Sequence, residues 1–419
     1  MLVPAVSNGM GSALNDVALA CHANAALVAV LLWRDRPTAG RAILAGVLAG
    51  MAIGVKYPAL VWAAVLGVIV ITRRSARIDP RLRLDRESRI SNPRSLALFA
   101  LAATLSGGWW YLRAYAHTGN PVFPFFRHWF GGAGIDDVLD PIKRPMAVTP
   151  WNLLTAIVPI TLDPDRFDSL SHQFGPAFLL LLPGLFLLRP PRRVVGIAAA
   201  GWLFFTLCLT QRQSMRFVLS AVGPFAVATA WAASRWWDRK SLPGRVLAIG
   251  LALILLIESC LAVARCRHGW PVIVGRESAE TFLARREPTY RVGRWIDANL
   301  SRSARIIGQD HRGFYLPRPY AMELAHRRRT HLGARGESPG EIVAALRGSG
   351  FTHLLICPPE PETAVEFDPT LTRLLASWLA AHPPLYREAI RDPDGVTRRY
   401  EIRALEDRDD LAEAGGAGR

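Results

Sequence analysis

The stretch GMAIGVKYPAL, residues 50–60, sets a lysine between two apolar runs, 42–55 and 57–72. The chain has only three lysines, Lys56, Lys143 and Lys240, among 50 basic residues, so its other cations are arginine. Two readings compete: one helix over 42–72, or a tight hairpin with Lys56-Tyr57-Pro58 at its tip. Charge decides between them. The hairpin puts the basic segments RDRPTAGR (34–41) and RRSARIDPRLRLDRESRISNPR (73–94) on one side of a membrane, whereas a single helix would put them on opposite sides, against the positive-inside tendency. Pro58 also disfavours a continuous helix through Tyr57.

Eight apolar runs stand out, at 17–33, 42–55, 57–72, 95–116, 174–188, 194–210, 217–234 and 246–264. Several fall short of the roughly 20 residues that cross a bilayer comfortably, and flanking Arg and Trp can extend them by snorkelling. With the hairpin, the inner segments 34–41, 73–94, 189–193 and 235–245 hold eighteen Lys and Arg in 46 residues, while the long segment 117–173 holds four against six Asp. Both ends of the chain are then expected outside, which in a bacterium is the periplasm. The net charge of +16 in 419 residues, 51% of them hydrophobic, reads as membrane topology rather than a nucleic-acid footprint. The opening residues MLVPAVSNGMGSALND lack the basic and apolar regions of a signal peptide. The five cysteines show no CxxC spacing and suggest no redox or metal role.

From about residue 276 the sequence turns polar and globular. TYRVGRWIDANL (289–300), SPGEIVAALRGSG (338–350) and PTLTRLLASWLAAH (369–382) read as helices; ARIIGQD (304–310), FTHLLICPP (351–359), LYREAI (385–390) and RRYEIRA (398–404) read as strands. The expected architecture is an α-helical integral membrane bundle of about eight spans over 1–275, with an outer loop at 117–173. A small periplasmic α/β domain over 276–405 and a disordered tail at 406–419 follow.

Polar residues collect at the expected outer face. Asn15 and Asp16 begin the first span and Lys56 tips the hairpin. Asp163, Asp165, Arg166, Asp168 and His172 lie in LDPDRFDSLSHQ, and Arg212 and Arg216 in the turn QRQSMR. Glu258 lies inside the last span, where an acid is a functional candidate by default. Plain readings stand beside these: Asp16 capping a helix, Lys56 snorkelling, the Asp-rich loop a solvated turn, Arg216 marking a span end, Glu258 pairing with an Arg. Taken together, cations at the rim of a bundle suit an anionic headgroup, apolar walls suit a lipid tail, and nearby carboxylates suit proton acceptance from a hydroxyl. HTGNPVFPFFRHWFGG (117–132) is too rich in Pro, Gly and aromatics to span, and TPWNLLTAIVPI (149–160) reads as interfacial or re-entrant.

SALNDVALACHANAALVAVLLW (12–33), GMAIGVKYPAL and above all HTGNPVFPFF (117–126) resemble elements of GT-C-type polytopic membrane glycosyltransferases, more narrowly the RgtA/B/C/D-like, protein mannosyltransferase-like group. GPAFLLLLPGLFLL (175–188), QRQSMRFVLSAVGPFAVATAW (211–231) and GFTHLLI (350–356) resemble its later spans and C-terminal strand. The resemblance implies transfer of a sugar from a polyprenyl-phosphate donor to a lipid, glycan or protein acceptor at the outer face of the bacterial inner membrane. It implies that Asp16 is the second acidic position of the site and that Lys56 and Arg216, with Arg212 beside them, face the donor phosphate. Asp163, Asp165, Asp168 and His172 are candidates for the acceptor side or a lid. The principal catalytic Asp of that group precedes the element at 4–33, so this chain is expected to lack it. No cofactor is implied, and carboxylates without ligand spacing leave a divalent metal undetermined. A membrane transporter and a non-catalytic membrane assembly protein are the alternatives.

Overall fold

The computed structural model describes residues 15–72, 91–123, 125–130, 146–167, 174–211, 213–239, 241–310, 312–323, 337–360, 369–392 and 395–405. The chain divides into two compact units, the second holding the residues from Arg267 onward. The first unit is helical: α1 (Asp16–Asp35), α2 (Ala39–Val55), α3 (Pro58–Ile71), α4 (Asn92–Gly107), α5 (Trp109–Thr118), α6 (Pro150–Thr155), α7 (Ile157–Leu162), α8 (Pro176–Leu181), α9 (Gly184–Leu188), α10 (Arg192–Gln211), α11 (Val222–Asp238) and α12 (Leu242–Cys266). A 3-10 segment, Met215–Ala221, runs directly into α11.

Four described helices are long and apolar enough to cross a membrane: Asp16–Asp35, Arg192–Gln211, Met215–Asp238 and Leu242–Ala264. The run read as one span at 95–116 is two helices bent by 60° at Gly107–Gly108, which makes a fifth crossing only if the pair counts as one. The remaining runs form the shorter apolar helices 39–55, 58–71 and 176–188. At 1.5 Å per residue the first two reach about 26 and 21 Å, less than the roughly 30 Å hydrocarbon core.

The hairpin at 56–58 forms, with its break one residue earlier than the proline rule suggests. Lys56 is extended (φ −165°, ψ 147°), while Tyr57 is already helical. Pro58 sits in the first turn of α3, where its missing N–H is no loss. The Lys56 N–H still bonds Ala52 O, and its carbonyl accepts from Ala59 N, so one residue closes α2 and opens α3.

The tightest helix contact is between α2 and α4. Gly46 lies against Phe99, and Gly50 against Ala103 and Ser106; the register advances in step, so the two helices run parallel. A Cβ on Gly50 would stand 1.9 Å from Ser106 Oγ and 2.4 Å from Ala103 O. Ser106 Oγ donates across the seam to Val47 O at 3.2 Å. Small residues that let backbones touch are the main packing device where lipid removes any hydrophobic drive between helices. Elsewhere the bundle is filled by aromatics: Trp62 is buried, donates to Ala23 O at 2.6 Å and meets Phe204 edge-on. Phe174, Phe178, Phe205 and Phe225 interlock behind it.

The second unit is a three-layer α/β/α fold. Its sheet has the order β2 (Tyr320–Met322), β1 (Ile306–Gly308), β3 (His353–Ile356), β6 (Thr397–Ala404), with β4 (Pro359–Glu360) continuing the β3 edge and β5 (Tyr386–Arg391) on the far edge of β6. β1 runs parallel to β2 and β3; β6 is antiparallel to its neighbours. Strand alternation splits the core. Ile306, Leu355, Tyr400 and Ile402 face α13 (Pro288–Asn299), while Ile307, Leu354 and Ile356 face α14 (Pro339–Gly348) and the helical stretch 370–381. Ser338 and Glu341 cap α14 reciprocally. Each expected strand and helix forms; β2 and β4 are additions.

Just beyond β1, the buried Asp310 accepts from Arg312 Nε at 3.1 Å and from the Tyr400 hydroxyl at 2.6 Å. Burial pushes this carboxyl upward, but the hydrogen bonds and charge of Arg312, aided by Tyr400, outweigh it and hold Asp310 below the usual carboxylate range. Its stabilising contribution is therefore complete above the ordinary carboxylate pKa and is lost as pH falls through the folded-state value. Below about pH 4 the thermal midpoint of the β-sheet signal of the intact protein is expected to fall, and Asp310→Asn to lower the neutral-pH midpoint and flatten that fall.

Gly50→Ala is expected to cost about 1–3 kcal/mol through overpacking of the α2–α4 seam. Gly40→Ala, on the same helix with nothing within 4 Å of the added methyl, is expected to be neutral or slightly stabilising. Thermal unfolding in detergent compares the two.

Candidate functional site

Three breaks in the helical bundle meet at Lys56. Asn15 and Asp16 open α1, but neither side chain caps that helix. Asn15 Nδ2 donates to Val55 O at 3.1 Å, satisfying a carbonyl at the end of α2. Asp16 Oδ1 accepts from Lys56 Nζ at 2.6 Å. The third wall is the 3-10 segment, whose Phe217 ring lies under the ammonium with its centroid 4.4 Å from Nζ. Lys56 therefore does not snorkel away as a solvated cation: its side chain is 23% exposed and that of Asp16 only 2%.

Two features leave the site chemically unfinished. Asp16 Oδ2 is buried and has no hydrogen-bond partner among the described residues. Arg216, next to Phe217 and half-buried, makes no ion pair among the described residues. Lys56 and Asp16 cancel in formal charge. An ammonium has three donors, of which Asp16 takes one. A remaining donor of Lys56 suits an oxyanion, and Asp16 Oδ2 suits the hydrogen bond of a hydroxyl.

The segment that follows α5 is fastened to the same hairpin. The Tyr57 hydroxyl donates to Phe123 O at 2.5 Å, and its ring meets Tyr111 and Phe125 edge-on. Within TGNPVF, the wholly buried Asn120 accepts from Val122 N and donates to Phe125 O at 2.8 Å. Gly119 has φ +71°, the left-handed turn that ends α5. On the other side the Gln213 amide bonds both backbone groups of Met146, at 2.6 Å each, pinning the end of the loop to the turn that carries Arg216.

Of the other acidic sequence candidates, the structure describes the side chains of Asp163 and Glu258. Asp163 ends α7, and no hydrogen bond or ion pair connects it to Asp16, Lys56 or Arg216. Asp165 lies in the 3-10 turn Pro164–Phe167 and its side chain is outside the described residues, as are Asp168, His172 and Arg212 altogether. Glu258 is buried on α12 and forms no ion pair with Lys56 or Arg216. Among the described residues no three His, Cys, Asp or Glu gather to hold a metal ion. Phe217, Gln213 and Asn120 escape a reading by residue type, since each works through a neighbour that only the fold supplies.

No family model, curated protein or solved structure matches this chain.

Lys56→Ala should leave a buried carboxylate without its cation and cost on the order of 3 kcal/mol. Combining it with Asp16→Ala should recover part of that loss. Unfolding midpoints of both singles and the double in detergent would give the coupling, and strict additivity would deny the pair an energetic role.

Proposed function

We propose that this chain is a membrane-embedded glycosyltransferase of the GT-C type. In this reading it takes a sugar from a polyprenyl-phosphate donor and passes it to an acceptor at the outer face of a bacterial inner membrane. About eight helices would span, both ends and the C-terminal α/β unit lying in the periplasm. The observation that supports the reading best is the corner itself. A lysine is held on a buried aspartate at the tip of an apolar hairpin, over Phe217, and the adjacent residue in the chain, Arg216, makes no ion pair among the described residues. Apolar helices below can receive an isoprenoid tail, and the cations suit a phosphodiester at the rim.

The proposed roles follow from the geometry. Arg216 supplies the uncompensated charge and the fork that meets two phosphate oxygens. Lys56 adds a point charge through a donor not used by Asp16. A phosphate that draws the ammonium toward itself loosens its hold on Asp16, and Asp16 can then accept the hydrogen bond of an incoming hydroxyl. Donor arrival and readiness of the acceptor site are linked through one side chain. Asp163, Asp165, Asp168 and His172, on or after α7, remain candidates for acceptor contact or a lid.

The test is binding of undecaprenyl phosphate to the purified protein in nanodiscs, with undecaprenol as the uncharged control. The phosphate should raise affinity, and Arg216→Gln should remove at least about tenfold of it, the value of one lost charge-assisted hydrogen bond. Equal binding of alcohol and phosphate, or an unchanged affinity in Arg216→Gln, would refute the assignment.

A further inference from the structure

The loop tied to the Lys56 hairpin combines exposed aromatic surface with short helices and basic groups, a mixture suited neither to water nor to hydrocarbon. Helix α5 leaves α4 at 60°, is ten residues long and buries none of them. It exposes Trp109, Trp110 and Tyr115 while carrying Arg113 and His117 on the same short cylinder. Farther on, Trp129 is 73% exposed and stacks on Phe126, which is 45% exposed, with centroids 5.2 Å apart and planes within 10°. Helix α6 has six residues, none buried, and leaves Trp151 69% exposed.

These pieces lie at one end of the bundle. Tyr111 bonds Ile53 O at 3.2 Å, Tyr57 holds Phe123 and Phe125, and Gln213 holds Met146 four residues before α6. Each link ends on the hairpin tip or the turn beside it, so the exposed aromatics form a collar at the level of Lys56.

Two environments are excluded by simple physics. In water, so many exposed Trp, Phe and Tyr side chains would form an apolar patch of the kind that marks an interaction surface. In hydrocarbon, six- and ten-residue helices would strand the carbonyls and amides at their ends, with Arg113 and His117 beside them. The headgroup layer satisfies both demands, because it hydrates backbone ends and basic groups while accepting the faces of Trp and Tyr. The apolar helices long enough to cross a membrane belong to the same unit, so a lipid surface is the partner continuous with them.

We infer that the segments 109–118, 125–130 and 150–155 lie flat in the headgroup layer as an aromatic collar that binds a phospholipid surface. The collar holds Lys56 about 15–20 Å from the bilayer centre, the depth of lipid phosphates. The inference rests on the membrane character of the bundle and on no step of sugar transfer. Helix α5 is then neither a span nor the outer half of one.

The test uses the full chain with Cys21, Cys208, Cys260, Cys266 and Cys357 replaced by Ala or Ser, and single cysteines W129C, W151C or L253C carrying a small polarity-sensitive fluorophore. Each variant is reconstituted in phosphatidylcholine–phosphatidylglycerol vesicles. Quenching is read with nitroxide on the headgroup, with bromine near the chain methyl end, and with aqueous iodide. At positions 129 and 151 the headgroup quencher should win over the deep one by about twofold or more, with weak iodide quenching. Leu253, exposed on α12, should show the opposite order. Deep quenching at 129 and 151 would overturn the collar in favour of a re-entrant loop. Iodide quenching alone, or no quenching by any agent, would overturn it in favour of solvent or of a protein partner. Loss of lipid quenching at Leu253 as well would refute the membrane reading itself, a result distinct from failure of the collar.

Discussion

The interaction on which the arrangement depends is an ammonium group held between a buried carboxylate and a phenyl ring. Inside an apolar bundle neither Lys56 nor Asp16 is tolerable alone, so the folded chain must bring them together. The start of α1, the α2–α3 tip and the turn before α11 therefore share one depth. Asn15 reinforces this register by taking the Val55 carbonyl. The other links at this end, from Tyr57 to the outer loop and from Gln213 to Met146, hang on segments whose depth the pair has already set.

A polar tip needs support from below, and the α2–α4 seam supplies it. Gly46, Gly50 and Gly107 let two parallel backbones touch, and Gly107 is also where α4 stops and the chain turns into α5. Close packing thus delivers Tyr111 to Ile53 and the TGNPVF turn to Tyr57. A seam of larger residues would push α4 outward and carry the loop away from Lys56. The motif TGNPVF is then explained by its own bonds. Glycine provides the left-handed turn, and Asn120 satisfies backbone groups that lipid would leave unpaired.

Part of this was legible in the sequence. Charge on the flanking segments fixed the hairpin, because the cost of misplacing basic loops does not depend on side-chain detail. Asp16, Lys56 and Arg216 stood out because the ends of the apolar runs away from the basic segments carry few charges. The position of the break was off by one because a proline restrains its neighbours without choosing which residue extends, and here Lys56 extends while Tyr57 stays helical. The run at 95–116 read as one span because hydropathy counts Trp, Tyr and Leu alike and does not register a 60° bend at two glycines. Phe217 was invisible as a seat for the ammonium, since that contact follows from a 3-10 turn that no periodicity announces. Strand β2 was missed because three half-buried residues carry no alternation.

The charge balance at this corner gives the lysine a meaning that an arginine would not have. Paired with Asp16, the cation contributes no net charge, and in the proposed reading attraction for an anion would rest on Arg216, carried by a turn whose backbone is pinned through Gln213. An arginine at position 56 would lay a planar fork across the carboxylate and take both oxygens. The compact ammonium takes one, leaving Asp16 Oδ2 without a partner among the described residues and one face of itself to the ring of Phe217. A chain that otherwise spells its cations as arginine thus keeps lysine at the one place where an arginine would occupy both oxygens of Asp16.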